Sequence, residues 1–186
     1  HVHAVQRSRQ LCASALGYPL PASLRYGLKP QEARSRGVAG NAPGDTVVLV
    51  HGSSRDDKCW PESHWNALGV RLIAQGLSIA LPHGSDEERD RSERLARELG
   101  PHAEVWPRAD LGTLTDRLSR SAGVVGVDSG LSHIASALDR PHVQIYNFDT
   151  AWRTGPLPSS DGGGGRQLSV FAQPTPTMAA VWSAWQ

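Results

Sequence analysis

Between residues 46 and 146 the chain alternates five times between a short strand-like run and a stretch of helical character. That alternation is its strongest constraint. The runs are "TVVLV" (46–50), "LSIALP" (77–82), "AEVW" (103–106), "GVVGV" (123–127) and "HVQIY" (142–146). After the first, Pro61 opens a helix with Trp65, Leu68, Leu72 and Ile73 on one face. A highly charged helix runs from Ser85 to Gly100. In "DLGTLTDRLSRS" Asp110 is a natural N-cap, with Leu111, Leu114 and Leu118 at helical spacing. "DSGLSHIASAL" carries Leu131, Ile134 and Leu138 on one stripe. Strand–helix alternation with short connections predicts an α/β fold, a parallel sheet covered by helices on both faces.

The flanks are less regular. Residues 1–19 read as a helix with Val5, Leu11, Cys12 and Leu16 on one face and Gly17 near its end. Residues 20–45 read as a linker holding one short strand. Residues 147–167 include Gly162 to Gly165, show no period, and are predicted to be a mobile loop. "QLSVFA" adds a last strand, and "TMAAVWSAW" a closing helix anchored by Met178, Val181, Trp182 and Trp185.

Composition narrows the function classes. A formal net charge of +1 courts neither nucleic acid nor a membrane surface by bulk electrostatics. No apolar run approaches a membrane span. Two cysteines, Cys12 and Cys59, are too few for a disulfide or metal framework, which points to a reducing compartment. The opening "HVHAVQRSRQ" has neither a starting Met nor the apolar core of a signal peptide, and reads as a chain starting partway through something longer. Among the 19 basic residues only Lys29 and Lys58 are lysines. In so Arg-biased a chain, a lysine inside a turn suggests a need for its compact ammonium.

In an open parallel sheet, ligands collect beyond the carboxyl ends of the strands. The alternation puts "HGSSRDDK", "HGSDEE", "PRAD" and "DSGLSH" on that one edge. A hydrolase reading of "VLVHGSS" fails at its nucleophile, because neither Ser129 nor Ser132 sits in G-x-S-x-G. An anion reading fits better. Ser129 and Gly130 open a helix, whose first N–H groups and dipole favour an anion. Ser53 and Ser54 add hydroxyls, Gly52 allows close backbone approach, and Lys58 supplies charge. Taken singly, Asp128 or Ser129 reads equally as an N-cap, Gly52 as a turn glycine and Lys58 as solvated. Two anion-suited turns on one edge favour a phosphate cradle. Glu88, one turn past the second strand, suits a ribose diol or simply the helix dipole. His133 could donate to a phosphate, orient Asp128, or be a satisfied buried histidine. His51 reads as structural, Cys59 as a passive neighbour, and Trp60 and Trp65 as packing anchors.

The segments "HAVQRSRQLCASALGY", "HGSSRDDKCWPESHW", "ALPHGSDEE" and "VVGVDSGLSHIASALDRP" resemble the lipopolysaccharide heptosyltransferases of glycosyltransferase family 9, the first-heptose (heptosyltransferase I) type in particular. The resemblance covers most of residues 1–146. It implies the GT-B arrangement of two Rossmann-like domains, with residues 41–186 as the C-terminal nucleotide-sugar-binding domain. Residues 1–40 would then be the tail helix and linker of an N-terminal domain that is otherwise absent. It implies ADP-heptose as donor and inverting transfer to the Kdo region of the inner core. The Kdo-lipid A acceptor would be met through the missing domain, at the cytoplasmic face of the inner membrane, with peripheral membrane contact. By resemblance, Ser53, Ser54 and Lys58 go to the phosphates, Glu88 to the ribose, and Ala109 by its backbone to the adenine. Asp128, Ser129, Gly130 and His133 go to the diphosphate and heptose, with Lys58 and Asp128 stabilising the leaving group.

No cofactor is required, and no ligand cluster calls for Mg. The general base is expected in the missing domain, so this chain alone is expected to bind donor and be inactive. The family tends to follow its fifth strand with "YGPT", where this chain has "YNFDT", and to carry Thr where this chain has Ser53, Ser54 and Ser129. Two alternatives remain: a second-heptose or other core-sugar transferase, and a nucleotide-binding module without transfer chemistry.

Overall fold

The computed structural model of the chain describes residues 1–30, 44–160 and 166–186. Six parallel strands form one sheet: β1 (Thr46–Val50), β2 (Ser78–Leu81), β3 (Ala103–Val105), β4 (Gly123–Val127), β5 (His142–Tyr146) and β6 (Gln167–Phe171). Their order across the sheet is β3-β2-β1-β4-β5-β6. Register is set directly at the centre, where Val48 lies beside both Ala80 of β2 and Val124 of β4.

The helices are α1 (Ala4–Leu16), α2 (Glu62–Ala74), α3 (Asp86–Leu99), α4 (Leu111–Arg120), α5 (Gly130–Ala137), α6 (Ala151–Thr154) and α7 (Met178–Trp185). The caps explain several starts. Ser85, Asp110 and Thr177 accept from the N–H three residues on. Gly17 ends α1 in the left-handed region at φ 69°.

Strand side chains alternate between two cores. Val47, Leu49, Val125 and Ile145 pack under α2, α3 and α7 with the fully buried Trp65, Leu68 and Leu72. Val48, Val50, Ala80 and Val124 face α4 and α5 with Leu118 and Ala135. Burying each large side chain contributes about 1.5–3 kcal/mol, so both faces of the sheet are committed. Gly126 lets α5 sit close: a Cβ there would fall 2.3 Å from Ser132 Oγ and 2.9 Å from Val50 Cβ.

Several expectations are corrected. Leu11 and Leu16 of α1 are 68% and 75% exposed, and the buried residue of that helix is Ala13. Leu111 is also exposed, because it lies in the first turn of α4, ahead of the part that meets the sheet. Helical spacing says which residues share a face, not whether another element covers it. The span after β5 is not one loop throughout. It forms α6, and His3 at the start of α1 bonds to Gly155 O at 3.0 Å. Residues 24–26 are held to the same span through Leu24 N to Ser160 Oγ (2.7 Å) and Tyr26 Oη to Leu157 O (3.0 Å). No strand forms over residues 20–30, and 31–43 lie outside the described residues, as does the expected boundary near 40. Gly162 to Gly165 also lie outside them.

Candidate functional site

β1 and β4 are sheet neighbours whose following helices cover opposite faces, α2 on one side and α5 on the other. This is the topological switch point, where a crevice opens beyond the strand ends. The chain after β1 enters it through His51–Ser54 and a three-residue 3-10 turn, Asp56–Lys58. The chain after β4 enters through Asp128 and Ser129, which is the N-cap of α5.

The two segments meet at Asp128. Lys58 Nζ donates to Asp128 Oδ2 at 2.8 Å. His133, one turn into α5 and 48% exposed, brings Nε2 to 3.4 Å of Oδ1. Gln144 of β5 approaches the same oxygen at 3.5 Å, and Ser53 Oγ reaches the Asp128 carbonyl at 3.5 Å. Burial alone would raise the Asp128 pKa; the bonds from His133 and Lys58 outweigh it and hold the carboxyl at about 2. An ionised, largely enclosed carboxylate is thus held between Lys58 and His133. Lys58 has three N–H donors, so contact with Asp128 leaves others for an incoming anion.

Around this pair the crevice presents donors. Ser129 Oγ is buried, makes no capping bond, and has no partner among the described residues. A Cβ added to Gly130 would meet nothing within 4 Å, so the approach to the helix start is open. The first-turn N–H groups of α5 point the same way, with the positive end of the helix dipole. Ser54 is exposed on the opposite lip.

Glu88 lies one strand further along. Its Oε2 accepts from Gly84 N at 2.6 Å, and its own N–H donates to Ser85 Oγ at 3.2 Å, a variant of the capping box. The carboxylate also lies over Gly52, where a Cβ would be 2.2 Å from Oε1. Ala109 is set apart, beyond β3 and partly buried against the second core. Three strand positions separate it from Asp128, roughly 14 Å at the usual spacing of about 4.8 Å. The edge therefore presents Ala109, Glu88, the Ser53–Lys58 turn and Asp128–His133 in that spatial order.

Other residues are structural. His51 is fully buried with Nε2 2.7 Å from Ser92 Oγ, and burial, then Arg91, lowers its pKa to about 4. Ser132 is fully buried and donates to Val127 O at 2.7 Å, which removes it as a nucleophile. Trp60 and Trp65 pack edge-to-face at 4.9 Å. Among the described residues no three His, Cys, Asp or Glu side chains form a group that could hold a metal ion. No described helix is long and apolar enough to cross a membrane.

Three site features escape a reading of the sequence alone. Gln144 sits in a buried strand run, and Asn147, which donates to Asp57 O and Cys59 O beside Lys58, lies in "YNFDT", which gives no sign of those partners. The third is the Ser85–Glu88 cap, whose only signal is S-x-x-E ahead of Leu95; it explains why the Glu88 carboxylate turns back toward the strand end.

Comparison with known proteins agrees with the parallel-sheet fold. Residues 1–173 match the family model of glycosyltransferase family 9 (heptosyltransferase). The chain is 37% identical over 176 residues to lipopolysaccharide heptosyltransferase 1 of Escherichia coli K12, covering 92% of this chain and 51% of that protein. It is 42% identical over 146 residues to the Pseudomonas aeruginosa heptosyltransferase 1, covering 77% and 39%. A solved structure of E. coli heptosyltransferase WaaC with ADP superposes with a TM-score of 0.75 at 32% identity, over 97% of this chain and 55% of that one. A second, with ADP-2-deoxy-2-fluoro heptose, gives 0.72 at 33% identity, over 97% and 54%. The chain thus spans about half the length of the curated heptosyltransferase 1 from E. coli K12. With its parallel sheet and switch-point crevice, the chain belongs to glycosyltransferase family 9, the heptosyltransferases.

Proposed function

We propose that this chain is the nucleotide-sugar-binding half of a heptosyltransferase of the first-heptose type. It holds ADP-heptose for inverting transfer to the Kdo region of the lipopolysaccharide inner core. The observation that carries this reading is the Lys58–Asp128–His133 cluster at the switch point, beside the open start of α5. The similarity to heptosyltransferase 1 proteins and to structures with ADP and a fluorinated ADP-heptose supports the choice of donor.

In this reading the order along the sheet edge is the order of the ligand. Ala109 takes the adenine by its backbone, Glu88 the ribose diol, and Ser53, Ser54 and Lys58 the phosphates. Asp128, Ser129, Gly130 and His133 take the second phosphate and the sugar. As the bond from the sugar to the diphosphate breaks, negative charge grows on the departing oxygen. In this reading Lys58 and the first-turn N–H groups of α5 stand beside that oxygen, and such preorganised donors stabilise the growing charge. Lys58 supplies the cation, and no cofactor is required.

Asp128, held near pKa 2 and committed to Lys58, is a poor acceptor for the acceptor-hydroxyl proton. That proton goes to a group outside these residues. The Kdo-lipid A acceptor and the peripheral contact with the cytoplasmic face of the inner membrane belong with that group. The chain alone then binds donor without transferring heptose.

The test pairs binding with turnover. ADP-heptose should displace bound ADP from the chain more effectively than UDP- or GDP-sugars, and no heptose should reach Kdo-lipid A. Equal competition by all nucleotide sugars would favour a general nucleotide module. Measurable transfer by the chain alone would overturn the assignment of the base.

A further inference from the structure

We propose that Asn147 is the positioning residue of Lys58, fixing the turn that carries it; this rests on the phosphate role given to Lys58 above. Asn147 is the first residue after β5 and is 8% exposed. Its Nδ2 donates to Asp57 O at 2.9 Å and to Cys59 O at 3.0 Å. These are the carbonyls on either side of Lys58. Its Oδ1 accepts from Thr175 Oγ1 at 2.7 Å.

The chemistry selects this side chain. A primary amide has two N–H donors and an acceptor on one planar group, and every one of those functions is used here. Reversing the amide would set its oxygen against two carbonyl oxygens, so the network has one sensible orientation. Asp lacks the donors, Ser has one, and Gly has none.

The turn needs such a tie. It is one 3-10 turn of three residues, with Asp56 and Asp57 exposed, closed by Lys58 N to Arg55 O (3.1 Å) and Cys59 N to Asp56 O (2.9 Å). A turn that short has little rigidity of its own. Lysine adds a flexible four-carbon stem, so where Nζ sits depends first on where the Lys58 backbone is held. Trp60 Nε1 donates to Pro176 O at 2.7 Å, next to the Thr175 contact. The Lys58 turn, the end of β5 and the segment before α7 therefore meet at one junction, with Asn147 at its centre. Arg91 Nη1, 3.4 Å from Cys59 Sγ, braces the other side.

The experiment is a double-mutant cycle on the 186-residue chain. ADP affinity is measured by calorimetry for wild type, N147A, K58A and the double variant, with N147S as a milder change. Amide hydrogen exchange at Lys58 and Cys59 is followed by NMR, with Val125 in β4 as internal reference. We expect N147A to bind ADP about tenfold more weakly, the loss of a buried donor set. N147S should fall between, and N147A should cost nothing further once Lys58 is alanine. Exchange at Lys58 and Cys59 should rise about tenfold while Val125 is unchanged. Equal losses in both backgrounds would mean a general structural role and overturn the proposal, as would unchanged exchange at the turn. If the wild-type chain fails to bind ADP, the phosphate role of Lys58 falls, and the exchange result alone decides whether Asn147 holds the turn. A global loss of protection in N147A transfers that decision to N147S.

Discussion

Lys58 Nζ lies 2.8 Å from Asp128 Oδ2, so a residue of the β1 segment is paired with one of the β4 segment across the switch point. The pair is three-quarters or more enclosed on both sides, with Lys58 25% and Asp128 9% exposed. An ion pair so placed has given up hydration, and removing one partner leaves a charge seeking another. In the proposed reading, that other partner of Lys58 is the donor diphosphate. The carboxylate itself repels a diphosphate, so the same reading gives it the sugar, whose hydroxyls can donate to it.

Asp128→Asn tests that division of labour. The variant keeps the shape, removes the negative charge and frees Lys58. It should bind ADP at least as tightly as wild type yet lose its preference for ADP-heptose over ADP. Calorimetric titration with both ligands reads the difference. A parallel loss for both ligands would put Asp128 in the scaffold instead.

Gly52→Ala should act at a distance of one strand. Its Cβ would fall 2.2 Å from Glu88 Oε1, and the flexible Glu88 side chain must swing away from Gly84 N. Stability should drop by no more than about 1.5–3 kcal/mol, the range for a hydrogen bond to a charged group. The more specific effect should be on ribose recognition. Wild type should prefer ADP to 2′-deoxy-ADP about tenfold, as one hydrogen bond to a charged group allows, and Gly52→Ala and Glu88→Gln should both lose that preference. Retained discrimination in Glu88→Gln, with a lowered Tm, would leave Glu88 as a helix-cap residue only.

Acid stability should be governed by two buried histidines. His142, 1% exposed and with neither ring nitrogen bonded among the described residues, is lowered to about 3, chiefly by burial; His51 is lowered to about 4 by burial, then by Arg91. Both native pKa values lie below the ordinary 6.5, so the unfolded chain binds these protons first. Their contribution is intact above about pH 6.5, declines as pH falls, and is lost by about pH 3–4. At about 1.36 kcal/mol per unit, this amounts to roughly 3 kcal/mol for His51 and roughly 5 kcal/mol for His142 over that window. His142→Leu should therefore resist acid better, with a denaturant midpoint at about pH 5 raised over wild type by more than at about pH 7.5. A pH-independent difference would contradict the assignment.

What the sequence made legible was local. The five alternations, the Asp110 cap, the Gly17 stop and the crowding of Ser53, Lys58, Asp128 and His133 on one edge all follow from periodicity and chain order. Contacts between distant segments were not legible. Asn147 bonds to carbonyls 90 and 88 residues earlier, and its place in "YNFDT", where the family tends to have "YGPT", marks the position without indicating those partners. The four residues of α6 are too few to show a helical period. The stripe on α1 is real as spacing, but Leu11 and Leu16 find no covering element among the described residues, whereas Ala13 is small enough to be buried.

The most direct test of the central claim is calorimetric titration of the chain with ADP and with ADP-heptose, beside Lys58→Ala. Both ligands should bind wild type, and the variant should lose about 1.5–3 kcal/mol, the range for a hydrogen bond to a charged group. Unchanged binding in Lys58→Ala, or no binding of either ligand to wild type, would contradict a preformed phosphate cradle at the β1–β4 crevice.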